Sequence, residues 1–247
     1  MKILVCISHV PDTTSKITFT DNNTKLNTSG VTFVIGPYDE YALSKAVDIK
    51  EASGGAAHIT VLNVGESETE ATLRKALAIG ADEAVRIHTT PKDSLHVATQ
   101  IANYAKDKNF DLILMGRESI DYNGGVVHSM VAELLDLPSV TPIMSLKLDG
   151  KTATVAREIE GGKEILELNL PFVAGCQEPI AEWKIPNMRG IMSSKSKPLS
   201  VIEPVNNSSS ISYKELELPP AKSGCKIIDA SNVEELVSLL KNEAKVI

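Results

Sequence analysis

The sequence predicts an α/β fold: a doubly wound, mostly parallel sheet with an antiparallel hairpin extension and a C-terminal arm ending in a helix. Three observations predict it. Short apolar runs alternate with helical stripes from Lys2 to Leu135. After Pro142 the rhythm gives way to extended runs joined by glycine turns. Beyond Leu199 the composition turns polar and rich in serine and proline. Strand and helix in strict alternation mean a sheet covered on both faces.

Taken in order, Ile3–Ile7 reads as a buried strand, and Tyr38–Lys50 behind Pro37 carries the stripe Ala42, Ala46, Val47, Ile49. Ala57–Leu62 is a second strand ending at Asn63-Val64-Gly65. Thr69–Ile79 is a helix with Leu73, Ala76 and Leu77 on one side and Gly80 at its end. Glu83–His88 is a strand, Leu95–Lys106 a helix, Asp111–Met115 a strand and Val126–Leu135 a helix. Ile143–Leu148 and Thr152–Arg157 then flank an Asp149-Gly150 turn and form a hairpin. Val155–Ile159 and Lys163–Leu170 flank Gly161-Gly162, and Phe172–Ala174 is a short apolar strand. One domain is expected over residues 1–199. Residues 200–247 form an arm: Asn206-Asn207, consecutive serines and Pro219-Pro220 offer little to bury, so the stretch is either a flexible linker or a strap. Ser231-Asn232-Val233-Glu234 is expected to cap a closing helix whose stripe Val233, Leu236, Val237, Leu240 must dock on something.

Composition narrows the function classes. The 247 residues are 43% hydrophobic and 23% charged, as in ordinary globular proteins. A net charge of −7 argues against nucleic acid as partner. No apolar run approaches a bilayer span, so no membrane insertion is expected. The N-terminus enters a strand at once, without signal-peptide or presequence features, and a cytoplasmic location is expected. Cys6, Cys176 and Cys225 are far apart and the five histidines are scattered, so no metal site is expected. No G-x-S-x-G elbow, dinucleotide fingerprint or P-loop occurs. Nothing marks an enzyme that works alone.

In a doubly wound sheet, ligands bind beyond the carboxyl ends of the strands at the switch point. Three loops are expected there: Cys6, Ile7, Ser8 and His9; Asn63, Val64 and Gly65; and the stretch from Gly116 through Asp121 to Gly124, Gly125, Val126, Val127 and His128. The last opens a helix, whose free N–H groups and dipole suit a phosphate, although a plain surface loop fits the same residues.

The string V-x-R-x-x-E-G-G-x-E-x-L over 155–166, with a proline at 171, resembles the signature of the electron transfer flavoprotein beta subunit family. Further blocks resemble it in order: Ile35-Gly36-Pro37-Tyr38-Asp39-Glu40, TLRKALAIGAD over 72–82, GRESID over 116–121, IPNMRGIM over 185–192 and the closing KNEAKVI. The resemblance implies one half of a heterodimer with an alpha subunit, carrying electrons from flavoprotein dehydrogenases, such as acyl-CoA dehydrogenases, through a quinone oxidoreductase toward the quinone pool. It implies an FAD shared with the alpha subunit, faced by Thr13, Pro37 and Tyr38, and AMP or a second FAD held in this chain. Gly36 belongs to that nucleotide site but replaces the family's usual Asn, one side-chain contact fewer. Tyr122 to His128 likewise depart from the family pattern. Ile185 is implied to dock partner dehydrogenases, while burial of Ile185 and of nearby Trp183 is the competing reading. A single-chain nucleotide-binding regulatory protein is the alternative function. An adenylate-forming ligase is disfavoured by the absence of a pyrophosphate loop.

Overall fold

The computed structural model describes residues 1–247 except Ser208, Ser210 and Ser223. Strand β1 (Lys2–Cys6) leads through β2 (His9–Pro11), β3 (Phe19–Thr20), β4 (Lys25–Leu26) and β5 (Phe33–Ile35) to helix α1 (Pro37–Ala52). The chain continues as β6 (His58–Val64), α2 (Glu70–Ile79), β7 (Glu83–Ile87), α3 (Ser94–Ala105), β8 (Leu112–Gly116) and α4 (Val127–Leu135). The second half comprises β9 (Ser139–Asp149), β10 (Thr152–Ile159), β11 (Gly162–Asn169), β12 (Phe172–Cys176), α5 (Met188–Ser194), β13 (Leu199–Ile202) and α6 (Val233–Leu239).

Nine of the described strands form one sheet in the order β11-β10-β9-β12-β8-β1-β6-β7-β13. All neighbours from β9 to β13 along that order run parallel. Strands β10 and β11 extend it in antiparallel sense, as the glycine turns predict. Pro142 lies inside β9, near where the β9–β12 ladder shifts register, a position that tolerates a residue without an N–H. From β1 the chain winds outward to β6 and β7, then returns to β8 on the other side. The switch point therefore lies between β1 and β8.

Successive residues of β1 serve opposite faces. Ile3 and Val5 join Leu43, Ala46, Leu73, Leu77 and Phe172 under α1 and α2. Leu4 and Cys6 join Leu62, Val85, Ala98, Ile101 and Val131 under α3 and α4. This two-sided burial explains why the parallel strands read as unbroken apolar runs.

Four features went beyond the pattern or differ from it. Two short antiparallel pairs, β2–β5 and β3–β4, fill the stretch between β1 and α1. Strand β13 adds to the edge beside β7. The closing helix is capped one residue later than expected. Ser231 Oγ is engaged by Asp229 Oδ1, so Asn232 becomes the cap: its Oδ1 accepts from Glu235 N at 3.2 Å and its Nδ2 donates to Glu235 Oε2 at 2.8 Å. The arm also makes specific contacts. Val205 and Asn207 bond to Gln100, Tyr213 stacks on Tyr122 with centroids 5.4 Å apart, and Leu216 N donates to Asn23 O. Val233, Leu236 and Val237 of the terminal stripe remain exposed. Among the described residues no helix is long and apolar enough to cross a membrane.

Candidate nucleotide site

The carboxyl ends of β1 and β8 and the start of α1 converge on one side chain, Asp39. It stands in the first turn of α1, where an acid is favoured by the helix dipole, and it is buried. Its Oδ2 accepts from Ser8 N at 2.8 Å and Ser8 Oγ at 2.5 Å, and its Oδ1 accepts from Gly116 N at 2.8 Å. Burial pushes the carboxyl up to about 6, the Ser8 and Gly116 bonds pull the other way, and Asp121 adds to the rise. Three chain segments are thus tied across the switch point by one carboxylate.

Glycines pack closely on both sides of that clamp. A Cβ on Gly116 would lie 2.6 Å from Asp39 Oδ1 and 2.8 Å from Tyr38 Cβ. A Cβ on Gly36 would collide with Ser8 Oγ and lie 2.5 Å from Asp39 Oδ2.

On the second loop, buried Asn63 donates through Nδ2 to Ile7 O at 2.9 Å, while its buried Oδ1 has no hydrogen-bond partner. Burying an acceptor unpaired is costly, which marks this atom as one awaiting a donor. Val64 is buried in the core, and Gly65 N bonds back to Ile87 O. On the third loop, α4 begins at Val127 with no side-chain cap. Among the described residues no protein acceptor takes the N–H of Gly124, Gly125, Val126 or Val127. A run of free N–H groups at a helix start fits an anionic ligand.

The remaining candidates are placed differently. His9 stacks on Phe33 with centroids 4.5 Å apart, bonds Thr72 Oγ1 at 2.7 Å, and lines a neighbouring cleft with Glu68 and Lys75. Burial lowers its pKa, with Glu68 opposing. His128 is buried with both ring nitrogens engaged, Nδ1 by Ser129 Oγ and Nε2 by Arg117 O and Thr141 Oγ1. Only its backbone remains for a ligand. Cys6 is buried, and burial together with Asp39 raises its thiol pKa. Asp121 is exposed at the loop tip. Thr13 is exposed in a turn closed by Asp12, and Pro37 and Tyr38 are half-buried at the start of α1.

Ile185 is 71% exposed and Trp183 54% exposed, so the burial reading of both is excluded for this chain. The loop is held by its polar residues. Lys184 N donates to Ser44 Oγ, its Nζ pairs with Asp48 and Glu51 on α1, and Asn187 caps α5. Apolar side chains therefore point outward from an anchored backbone.

A family model described as Electron transfer flavoprotein domain matches residues 24–206. The chain is 37% identical over 261 residues to the electron transfer flavoprotein subunit beta of Bacillus subtilis, with both chains covered in full. It is 31% identical to the subunit of the same name from Homo sapiens, covering 100% of this chain and 99% of that one. A third relative, the caffeyl-CoA reductase-Etf complex subunit CarD of Acetobacterium woodii, is 30% identical, with 99% of this chain and 98% of that one covered. The chain belongs to the electron transfer flavoprotein beta subunit family. The Ser8 hydroxyl and the Asp39 carboxylate occupy the space into which any side chain at 36 would project.

Sequence reasoning passed over Asp39, Arg117 and Gln177. Asp39 and Arg117 lay inside quoted blocks. The signal for Asp39 was an acid two residues beyond a Gly-Pro pair, in the first turn of a helix leaving the switch point.

Proposed function

We propose that this chain is the beta subunit of a heterodimeric electron transfer flavoprotein, which binds a nucleotide at the switch point and covers the FAD of an alpha subunit. The observation that carries this reading is end-to-end similarity to proteins named as beta subunits, from Bacillus subtilis to Homo sapiens. A bound flavin accepts and donates electrons; this chain's residues hold, orient and shield. Asn63 Oδ1 accepts from the amino group of an adenine, and the N–H groups of Gly124 to Val127 receive its phosphate. Both AMP and a second FAD offer those groups. Tyr38, with Pro37 and Thr13, covers one side of the alpha-held ring and excludes water. Residues 1–199 act as the nucleotide-binding domain, and residues 200–247 as the arm that docks on the alpha subunit. Flavoprotein dehydrogenases donate electrons and a quinone oxidoreductase receives them. The protein itself acts as a carrier in the cytoplasm.

Coexpression with the alpha subunit tests the reading: the pure complex is denatured and its released nucleotides are identified. One FAD and one AMP support simple transfer, and two FAD support a second flavin in this chain. A colourless complex refutes the assignment.

Ile185 is proposed as the apolar anchor for dehydrogenases. Ile185→Ala should slow electron transfer from a dehydrogenase by about tenfold, as loss of an interface hot spot does, while flavin content stays unchanged. An unaltered rate ends the docking claim. Truncation after Leu218 keeps the contacts of Gln100, Tyr122 and Asn23 with the arm. The shortened chain should keep its stability within about 0.5 kcal/mol yet lose copurification with the alpha subunit.

A further inference from the structure

Arg117 leaves the end of β8 and turns its guanidinium over the face of Tyr38, with Cζ 5.3 Å from the ring centroid. It is held by a chain of hydrogen bonds. Nη1 donates to Gln177 Oε1 at 2.9 Å, and Gln177 Nε2 donates to Glu158 Oε2 at 2.8 Å. Glu118 Oε1 stands 3.5 Å from Arg117 Nε. Gln177 is buried at the end of β12, and its amide sits between a cation and an anion. Only one orientation satisfies both neighbours: the oxygen faces the guanidinium and the nitrogen faces the carboxylate. The flipped amide would oppose donor to donor and acceptor to acceptor.

The chain Glu158–Gln177–Arg117–Tyr38 therefore has a direction. It starts in the antiparallel extension, crosses β12 and ends at the start of α1. An arginine at a strand end that is 39% exposed in its side chain would otherwise sample many rotamers, and ordering it has an entropic cost that the Gln177 bond offsets. We propose that Glu158, acting through Gln177, is a positioning residue that fixes Arg117 over Tyr38 and thereby raises the reduction potential of the flavin that Tyr38 faces. The inference rests on the proposed function, which supplies the flavin. Its physical basis is that a fixed cation near a ring gaining electrons stabilises the reduced form, the more so where a partner subunit excludes water.

The sign of one substitution separates positioning from a direct field. Glu158 carries negative charge, so deleting it would make the flavin easier to reduce if its own field mattered. If Glu158 instead holds Arg117 in place, deleting it makes the flavin harder to reduce. The test uses the coexpressed alpha–beta complex, with flavin reduction followed by absorbance against a reference dye at fixed potential. Arg117→Gln should lower the ratio of reduced to oxidised flavin by about threefold to tenfold. Glu158→Ala should lower it in the same direction by a smaller factor, and Glu158→Gln, which keeps an acceptor for Gln177, should restore it. In the Arg117→Gln background Glu158→Ala should lower nothing further. An unchanged or raised ratio in Glu158→Ala, or an equal fall in the Arg117→Gln background, overturns the proposal while leaving the functional reading intact. A wild-type complex without flavin overturns the functional reading itself, and this inference with it. Glu158 is exposed in this chain, so its replacement carries the test even where Arg117→Gln impairs assembly.

Discussion

Asp39→Ala is expected to destabilise the chain at neutral pH by about 3 kcal/mol, because it leaves the Ser8 and Gly116 N–H groups without their acceptor. The same side chain gives a pH signature. Burial holds its carboxyl near 6 in the folded chain, against an ordinary value of 3.8. A raised carboxylate pKa means that the folded state binds the proton more tightly than the unfolded state. The proton-linked part of the Asp39 contribution, separate from its hydrogen bonds to Ser8 and Gly116, is therefore fully present below about pH 4 and is lost as pH rises through 6, a decline of about 3 kcal/mol. Asp39→Asn removes the titration but keeps one acceptor. Urea denaturation of wild type and Asp39→Asn at pH 4 and pH 6.5 should show the wild-type advantage shrinking by about that amount. An advantage that stays constant or grows with pH would mean that Asp39 is ionised at no cost in the fold. The nucleotide site would then be less closed around it than the geometry indicates.

The main sheet was legible because each of its central strands is buried on both faces and ends at a punctuating residue. Ile3 to Cys6, His58 to Val64 and Leu112 to Gly116 all follow that form. The antiparallel extension was legible from its turns. Strand β13 was not, because Leu199 to Ile202 is only partly covered and acquires strand geometry from pairing with β7, more than 100 residues away in sequence. The switch-point loops could be named from topology, yet the residue that unites them could not. Asp39 matters because Ser8 and Gly116 arrive beside it from different strands, and no local pattern announces that convergence. Gln177 is the same case. A glutamine after a strand is unremarkable until Arg117 and Glu158 are placed on its two sides. Ile185 shows the reverse: its exposure follows from polar neighbours visible in the sequence, Lys184, whose partners Ser44 and Asp48 lie on a distant helix, and Asn187, which caps α5 through Gly190 N.

Gly116→Ala should have the largest effect of any single methyl addition in the site. The new Cβ would lie 2.9 Å from Asp39 N as well as against Tyr38 Cβ, and both atoms are fixed by the backbone of α1. A side-chain rotation cannot relieve contacts of that kind, so the start of α1 must retreat from the end of β8. The retreat lengthens the Gly116 N to Asp39 Oδ1 bond and carries Tyr38 away from Arg117. Overpacking and the weakened bond together should cost about 3 kcal/mol. Gly124 provides the contrast. Its added Cβ would meet only Ser94 Oγ at 3.6 Å and Val126 Cγ2 at 3.9 Å, ordinary contact distances. Gly124→Ala should accordingly leave stability within about 0.5 kcal/mol of wild type. Thermal and urea denaturation of the two variants side by side decide the matter. Equal stability would show that the switch point tolerates expansion, and that Gly116 is there for the approach of a ligand, whereas a loss confined to Gly116→Ala makes the close seating of α1 on β8 the condition for a formed site.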